Sequence, residues 1–297
     1  MSSNFSSSLE RAILETLAYS DIFDYPLTLD ELHRYLTYPA TKEEVQSCLS
    51  TFQLISSSSD FYFLPKHDSL VAIRRGREST SAPAFRRAIS YGRILGTFSF
   101  VRMVAMTGSL AVLNLSKDAD MDYMLVTQTG RLWLARAFAV TFGRFIRLFG
   151  DRICVNLLVT ESTLEWKPQD LYSAREMCQM IPITGMDVYQ QLREANHWIE
   201  LHLPNAKSTP VNTPKTQPKR SLLQRLLEIP LRGKLGDAIE SWAMKFQIKK
   251  ITNTYGTGRE TIFSVNLCQG NFDDHHYWTD QSFHERLAVL EENVIHD

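Results

Sequence analysis

The chain predicts an α+β fold, and three features of its sequence carry that expectation. Apolar residues recur at helical spacing over much of the chain, and two matches to the capping-box pattern mark helix starts. Between residues 98 and 160, short apolar runs alternate with one long helical segment. At 297 residues, with 44% hydrophobic and 22% charged side chains, the chain is long enough for sizeable cores and for about two domains.

The elements follow in order. Over residues 9–19 the positions Leu9, Ile13, Leu14 and Leu17 share a helical face, and the run stops at the turn-like Ser20-Asp-Ile-Phe-Asp-Tyr-Pro26. Thr28-Leu-Asp-Glu31 and Thr41-Lys-Glu-Glu44 are capping boxes, in which hydroxyl and carboxylate each satisfy a free backbone N–H, so helices are expected over 28–36 and 41–52. Phe52-Gln-Leu-Ile55 and Phe61-Tyr-Phe-Leu64 flank four serines and read as the strands of a hairpin. Three helices and a hairpin over residues 1–66 make a winged-helix-like module. Such modules commonly read DNA with the third helix. Here residues 1–65 carry three basic and nine acidic side chains, and the third helix opens with Lys42-Glu43-Glu44. Phosphate repulsion argues against DNA and for a protein-contact or substrate-covering role.

Residues 67–98 read as a basic helical connector. Residues 66–102 hold eight basic side chains against two acidic ones, either an approach to a phosphate site or a solvated helix face. The core, residues 99–165, follows: an apolar run from 100 to 106 ending in Thr-Gly-Ser, a second strand over 123–126, a long helix over 130–149 and a third strand over 153–159. Residues 166–203 read as a helical acceptor-side region. Residues 204–220 hold four prolines and four basic side chains without an acidic one, the composition of an exposed linker. The remainder, 221–297, reads as mostly helical, ending in a helix over 281–293. Its basic stretch 221–250 places Leu222, Leu223, Leu226 and Leu227 on one face; with Pro230 and Gly233 interrupting, a domain-packing helix is preferred to a membrane-surface one.

The overall balance, 32 Lys+Arg against 33 Asp+Glu, advertises neither nucleic acid nor an anionic membrane. Cys48, Cys154, Cys178 and Cys268 show no CxxC spacing, which argues against a disulfide scaffold or thiolate metal site and suits a reducing cytoplasm. A basic segment followed by an apolar one is missing from the first residues, and the apolar stretch 132–149 is broken by Arg136, Arg144 and Arg147. Neither a signal peptide nor a spanning helix is therefore expected, and the expected location is cytoplasmic.

The chemistry concentrates in Thr107-Gly108-Ser109, ten further residues, and Asp120-Met121-Asp122 at the head of an apolar strand. Carboxylates at i and i+2 of a strand point to the same side. Both can then reach one or two Mg2+ ions, which take few protein carboxylates and fill their shells with water and phosphate. Gly108 permits close backbone approach to a phosphate chain, and Ser109 adds a hydroxyl and an N–H.

These residues, TGSLAVLNLSKDADMDYMLV at 107–126, resemble the nucleotidyltransferases of the DNA polymerase beta-like superfamily. Members often carry a further acidic flank, matched here by Asp118. The segments ILETLAYSDIFDYPLT, GRLWLAR and DLYSAREMCQMIP look like a bacterial subgroup that couples a winged-helix-like module to this fold. The resemblance implies a small mixed sheet flanked by helices, with a Mg2+- or Mn2+-dependent transfer of a nucleoside monophosphate from a nucleotide triphosphate to an acceptor, releasing pyrophosphate. It implies Asp120 and Asp122 as catalytic metal ligands and Gly108 and Ser109 as triphosphate-binding residues. The chain departs from the family at Asn156, on the acceptor side, where a third carboxylate is often found. Asparagine cannot take a proton near neutral pH, so a noncatalytic nucleotide-binding or protein-interaction relative of the same fold is the alternative. Glu161 is a substitute candidate for the base.

Other clusters compete with plain structural roles. Asp273-Asp274-His275-His276 is dense in metal-ligand types, yet adjacent residues diverge, and an Asp-capped helix start is the simpler reading. Arg102 and Arg152 flank strands, where ion pairing competes with phosphate contact. Trp133 and Trp198 read as core.

Overall fold

The computed structural model describes residues 8–296 apart from 66, 117–119, 217 and 219. Helix α1 (Ser8–Asp21) packs beside a short strand β1 (Leu27–Thr28), α2 (Leu29–Tyr35) and α3 (Lys42–Thr51). Both capping boxes form: the hydroxyls of Thr28 and Thr41 accept from the backbone N–H of Glu31 and Glu44, whose carboxylates reach back to the caps. Burial of Ile13, Leu14, Leu17, Leu32 and Val45 holds the helices together.

The hairpin differs from the sequence expectation. Its strands are β2 (Ser56–Ser58), built from the serines themselves, and β3 (Phe61–Phe63), in a sheet of order β1-β3-β2. Residues 52–55 leave α3 instead, with Leu54 and Ile55 packed against its core. Ser59 and Asp60, at φ 51° and 69°, make the two-residue turn that matches strand twist, which pulls the pairing onto the residues beside it.

The connector is one 27-residue helix, α4 (Ser69–Leu95). Arg74, Arg77 and Arg87 are engaged by Glu31 and Glu78, by Asp24, and by Asp151. Much of the basic stretch thus ties the N-terminal unit and the core together. Glu31 is the hub: it caps α2, accepts from the Tyr25 hydroxyl at 2.7 Å and binds Arg74.

Then come β4 (Val101–Met106), the single turn α5 (Gly108–Ala111), β5 (Met121–Thr127), α6 (Leu132–Arg147), β6 (Ile153–Thr160), α7 (Leu171–Gln179), β7 (Ile181–Thr184), α8 (Met186–Ala195) and α9 (Ile199–His202). After the Pro-rich segment follow α10 (Leu222–Glu228), a 3-10 turn (Ile229–Leu231), α11 (Lys234–Tyr255), β8 (Glu260–Phe263), β9 (Leu267–Asn271) and α12 (His275–His296). The strands form one mixed sheet of order β7-β4-β5-β6-β9-β8, in which β5 and β6 pair in parallel through the α6 crossover.

Three of these strands lie in segments expected to be helical. β7 is an edge strand, where the missing N–H of Pro182 is tolerated. β8 and β9 form a hairpin that extends the sheet beyond β6. The sheet therefore draws on residues well outside 99–165.

Strand alternation sorts the two faces. Met103, Ala105, Met124, Val126 and Val159 face α1, α7 and α8. Val104, Met106, Tyr123, Leu125 and Leu158 face α4, α6 and α11. Gly185, at φ 76°, lets α8 start directly over β4: a Cβ there would stand 2.1 Å from the Arg102 carbonyl oxygen. Trp133 and Trp198 are buried, as expected.

Candidate functional site

The site forms where β4 leaves the sheet and β5 enters it. Met106 pairs with Tyr123, and the Thr107 N–H donates to the Asp122 carbonyl at 3.0 Å, so the Gly-Ser turn starts beside the acidic pair. Asp122 continues the row of Met124 and Val126 and faces α7. Gly108 has φ 65°, and a Cβ on it would stand 2.6 Å from Asp122 Oδ2. Glycine is required here twice over, by conformation and by proximity. The Asn114 N–H donates to the Ser109 carbonyl at 2.8 Å and closes the loop.

The N-terminal unit braces this loop. The Tyr25 hydroxyl shares its one proton between Glu31 and, at 3.1 Å, the Val112 carbonyl; Arg77 donates to Asn114 Oδ1 at 3.1 Å, and the Asn114 side chain donates to the Phe23 carbonyl. The turn at residues 20–26 is therefore a docking element of the site's own loop.

On the other flank, Asp122 pairs with Cys154 and Tyr123 with Val155, after which the register jumps and Met124 pairs with Leu157. Asn156 is the extra residue of this β-bulge, a device that re-aims a side chain. Its Nδ2 donates to Asp122 Oδ1 at 3.4 Å. Arg152 Nε stands 2.7 Å from Asp120 Oδ1, a charge contact out of hydrogen-bond alignment, and that buried oxygen has no hydrogen-bond partner among the described residues.

Burial, and then the neighbouring charges of Asp120 and Glu176, push the Asp122 carboxyl up to about 7. Burial, and then the charges of Asp122 and Asp120, push the Cys154 thiol up to about 12, so the free thiol remains protonated near neutral pH.

Glu176 was not among the residues singled out from the sequence. It lies on α7, which packs on α5; the carboxyl is surrounded by protein although part of the side chain reaches the surface. Burial pushes it up to about 7, and it accepts from Gln179 Nε2 at 2.5 Å. The available signal was an acidic residue inside the buried helical pattern Ala174, Met177 and Cys178.

Other expectations resolve differently. Glu161 follows the far end of β6, roughly 16 Å along the strand from Asn156, where it faces Arg102 at 3.8 Å; it is no part of the site. Arg102 is engaged by Glu228 at 2.9 Å. His275 begins α12, but the cap is Glu260, whose carboxylate accepts from the N–H groups of His276 and Tyr277. His276 pairs with Asp170 at 2.8 Å and stacks on Tyr172 at 4.6 Å; the Asp170 bond raises its pKa. Tyr172 lies one turn before Glu176 on α7, so this cluster and Glu176 share a face of that helix. Asp118 lies outside the described residues. Among the described residues no three His, Cys, Asp or Glu side chains form a ready cation cage.

No family model, curated protein or solved structure matches the chain.

Proposed function

We propose that the chain is a Mg2+- or Mn2+-dependent nucleotidyltransferase, as its resemblance to the DNA polymerase beta-like superfamily implies, with the N-terminal unit a winged-helix-like module covering the Gly-Ser loop. The observation that carries this reading is Gly108 laid against the Asp122 carboxylate, so that a loop able to admit a phosphate chain adjoins an acidic pair.

A divalent cation suits the residues present. Asp120 Oδ1 is buried with no hydrogen-bond partner among the described residues, its one charge contact there being Arg152, and the Asp122 carboxyl is raised by burial and then by the charges of Asp120 and Glu176. Mg2+ is commonly held by one or two protein carboxylates, with water and phosphate completing its shell. Asp120 and Asp122 would hold it, and when bound it would neutralise charge developing on the transferred phosphoryl group.

The chain's own residues divide the remaining work. The backbone at Gly108 and Ser109 admits the triphosphate. The acceptor oxygen attacks the α-phosphorus, forming one P–O bond while the bond to the β-phosphate bridging oxygen breaks and pyrophosphate departs. Glu176 is assigned the acceptor's proton, the role Asn156 cannot fill. Its elevated proton affinity suits a base working near neutral pH.

Asn156 favours a second reading, a noncatalytic nucleotide-binding protein of the same fold. Calorimetric titration of each nucleotide triphosphate, with Mg2+ and then with EDTA, into wild type and Asp120→Asn/Asp122→Asn tests the site. Binding that needs both metal and aspartates supports it; no binding at millimolar concentration overturns it. Transfer of α-labelled phosphate to an acceptor, with pyrophosphate release, separates the two readings.

A further inference from the structure

The basic stretch 221–250 is expected from its sequence to be a domain-packing helix. One side of it packs in this way: Leu231, Ile239, Met244 and Ile248 lie against the core that Ala243 and Ile251 enter, while a second set of apolar side chains is left outside. Leu222 is 76% exposed, Leu226 61%, Leu235 65%, Trp242 65% and Phe246 54%. Leu222 and Leu226 lie at i and i+4 on α10, while Leu235, Trp242 and Phe246 lie at i, i+7 and i+11 on α11, so each helix shows one outward apolar stripe. The Trp242 and Phe246 rings stack face to face at 5.4 Å. What α11 turns inward is a different set: Ala243 and Ile251 are buried, and Gln247 bonds to the Trp133 carbonyl and to Arg136.

The charges of the segment are sorted as sharply. Arg225, Lys234, Lys245, Lys249 and Lys250 are exposed, and none forms an ion pair among the described residues. The three acids point into the protein or are neutralised. Glu228 is fully buried, accepting from the Phe100 N–H and engaging Arg102, Arg220 and Arg232. Glu240 accepts from the N–H groups of Trp133 and Leu134 at the start of α6, and Asp237 pairs with Arg131 at 2.7 Å. The outward face is thus apolar and aromatic with a rim of unpaired cations.

We infer that the outward face of α10 and α11 docks on an anionic lipid bilayer. Apolar side chains at helical spacing with flanking cations are what an interfacial helix presents: the stripe enters the headgroup boundary while lysine stems lie along it with their ammonium groups among the phosphates. Tryptophan suits that boundary, with an apolar ring and a polar N–H. Charge complementarity selects this occupant over a second copy of the chain, because self-association through this face would press both cationic rims together. Nucleic acid would engage the cations but leave the aliphatic stripe of Leu222, Leu226 and Leu235 without a function. No helix among the described residues is long and apolar enough to cross a membrane, so the docking is peripheral. It does not depend on the proposed transferase activity.

The test is co-sedimentation of the full chain with vesicles of phosphatidylcholine alone and of phosphatidylcholine with about one third phosphatidylglycerol, at low and at physiological salt. The expected result is at least about tenfold stronger partitioning onto the anionic vesicles. Trp242→Ala/Phe246→Ala should remove most of it, and Lys245→Gln/Lys249→Gln/Lys250→Gln should abolish the preference for anionic lipid, with circular dichroism unchanged because all five side chains are exposed. Equal partitioning onto both vesicle types, or anionic binding that neither variant weakens, overturns the inference. So does a dimer in sedimentation velocity that Trp242→Ala/Phe246→Ala dissolves, or salt-sensitive binding to short RNA or DNA with no binding to vesicles.

Discussion

Replacing Asp122 by Asn should stabilise the metal-free protein while destroying the proposed cation site, and the effect should depend on pH. Burial beside Asp120 and Glu176 raises this carboxyl from its ordinary 3.8 to about 7. For an acid raised on folding, the charged form is disfavoured in the folded state. There is no effect below about pH 4, where both states are protonated; stability falls as the unfolded chain ionises first, and the full effect is reached above about pH 7. At about 1.36 kcal/mol per tenfold change in proton affinity, the ceiling is about 4 kcal/mol. Asn keeps the shape and an oxygen able to accept from Asn156 Nδ2, and it carries no charge. Its advantage over wild type should therefore grow by about 3 kcal/mol between about pH 5 and pH 8, or roughly 6–12 °C in Tm for a chain of this size. The assay is thermal unfolding of both proteins across that range in EDTA, repeated with Mg2+ or Mn2+. Added metal should raise the wild-type Tm at the alkaline end and leave the variant unmoved, because a cation bound only by the folded state adds to its stability. A variant destabilised by the same amount at every pH would refute the argument, since Asp122 would then be an ordinary structural hydrogen-bond acceptor.

Four further outcomes follow from the geometry. Gly108→Ala forces a Cβ to 2.6 Å from Asp122 Oδ2 at φ 65°; it should cost about 1–3 kcal/mol in chemical denaturation and remove metal-dependent nucleotide binding. Glu176→Gln should lower turnover by about 10²- to 10⁴-fold while leaving nucleotide affinity within a few fold, and should remove a limb of the pH–rate profile near about 7. Hydrogen bonds and Arg102 hold the Glu228 carboxyl down to about 2 against the effect of burial; Glu228→Gln should cost about 3 kcal/mol near neutral pH, measured by urea unfolding. Because that stability is present above the ordinary 4.5 and is lost as pH falls toward about 2, the gap between the two proteins should close in acid. Tyr25→Phe removes the hydroxyl that joins Glu31 to the Val112 carbonyl and should cost about 1 kcal/mol; hydrogen exchange should report faster opening of residues 112–115 before any change elsewhere.

The N-terminal helices were legible in the sequence because their signals are local. A capping box closes within four residues, and both Thr-x-x-Glu motifs form as expected. The three central strands were legible because a strand covered on both faces must be nearly continuous in apolar residues, and β5 reads that way. Strand parity predicts a shared side for Asp120 and Asp122; Asp120 stands just before β5, and its charge acts on the Asp122 carboxyl.

What stayed hidden was decided between residues far apart in the chain. β7 and β9 are short, one containing proline and the other mostly polar, and they are strands because β4 and β6 offer unpaired edges. The proton affinity of Asp122 is raised first by burial and then by Asp120, with Glu176 adding to it once α7 packs on α5. Leu222, Leu226 and Leu227 show the same limit from the other side. Helical spacing establishes that an apolar stripe exists, because that depends on neighbours three and four residues away. Whether the stripe is covered depends on which surface the rest of the chain leaves free, and here Glu228 and Glu240 turn the polar side inward and leave the apolar side in water.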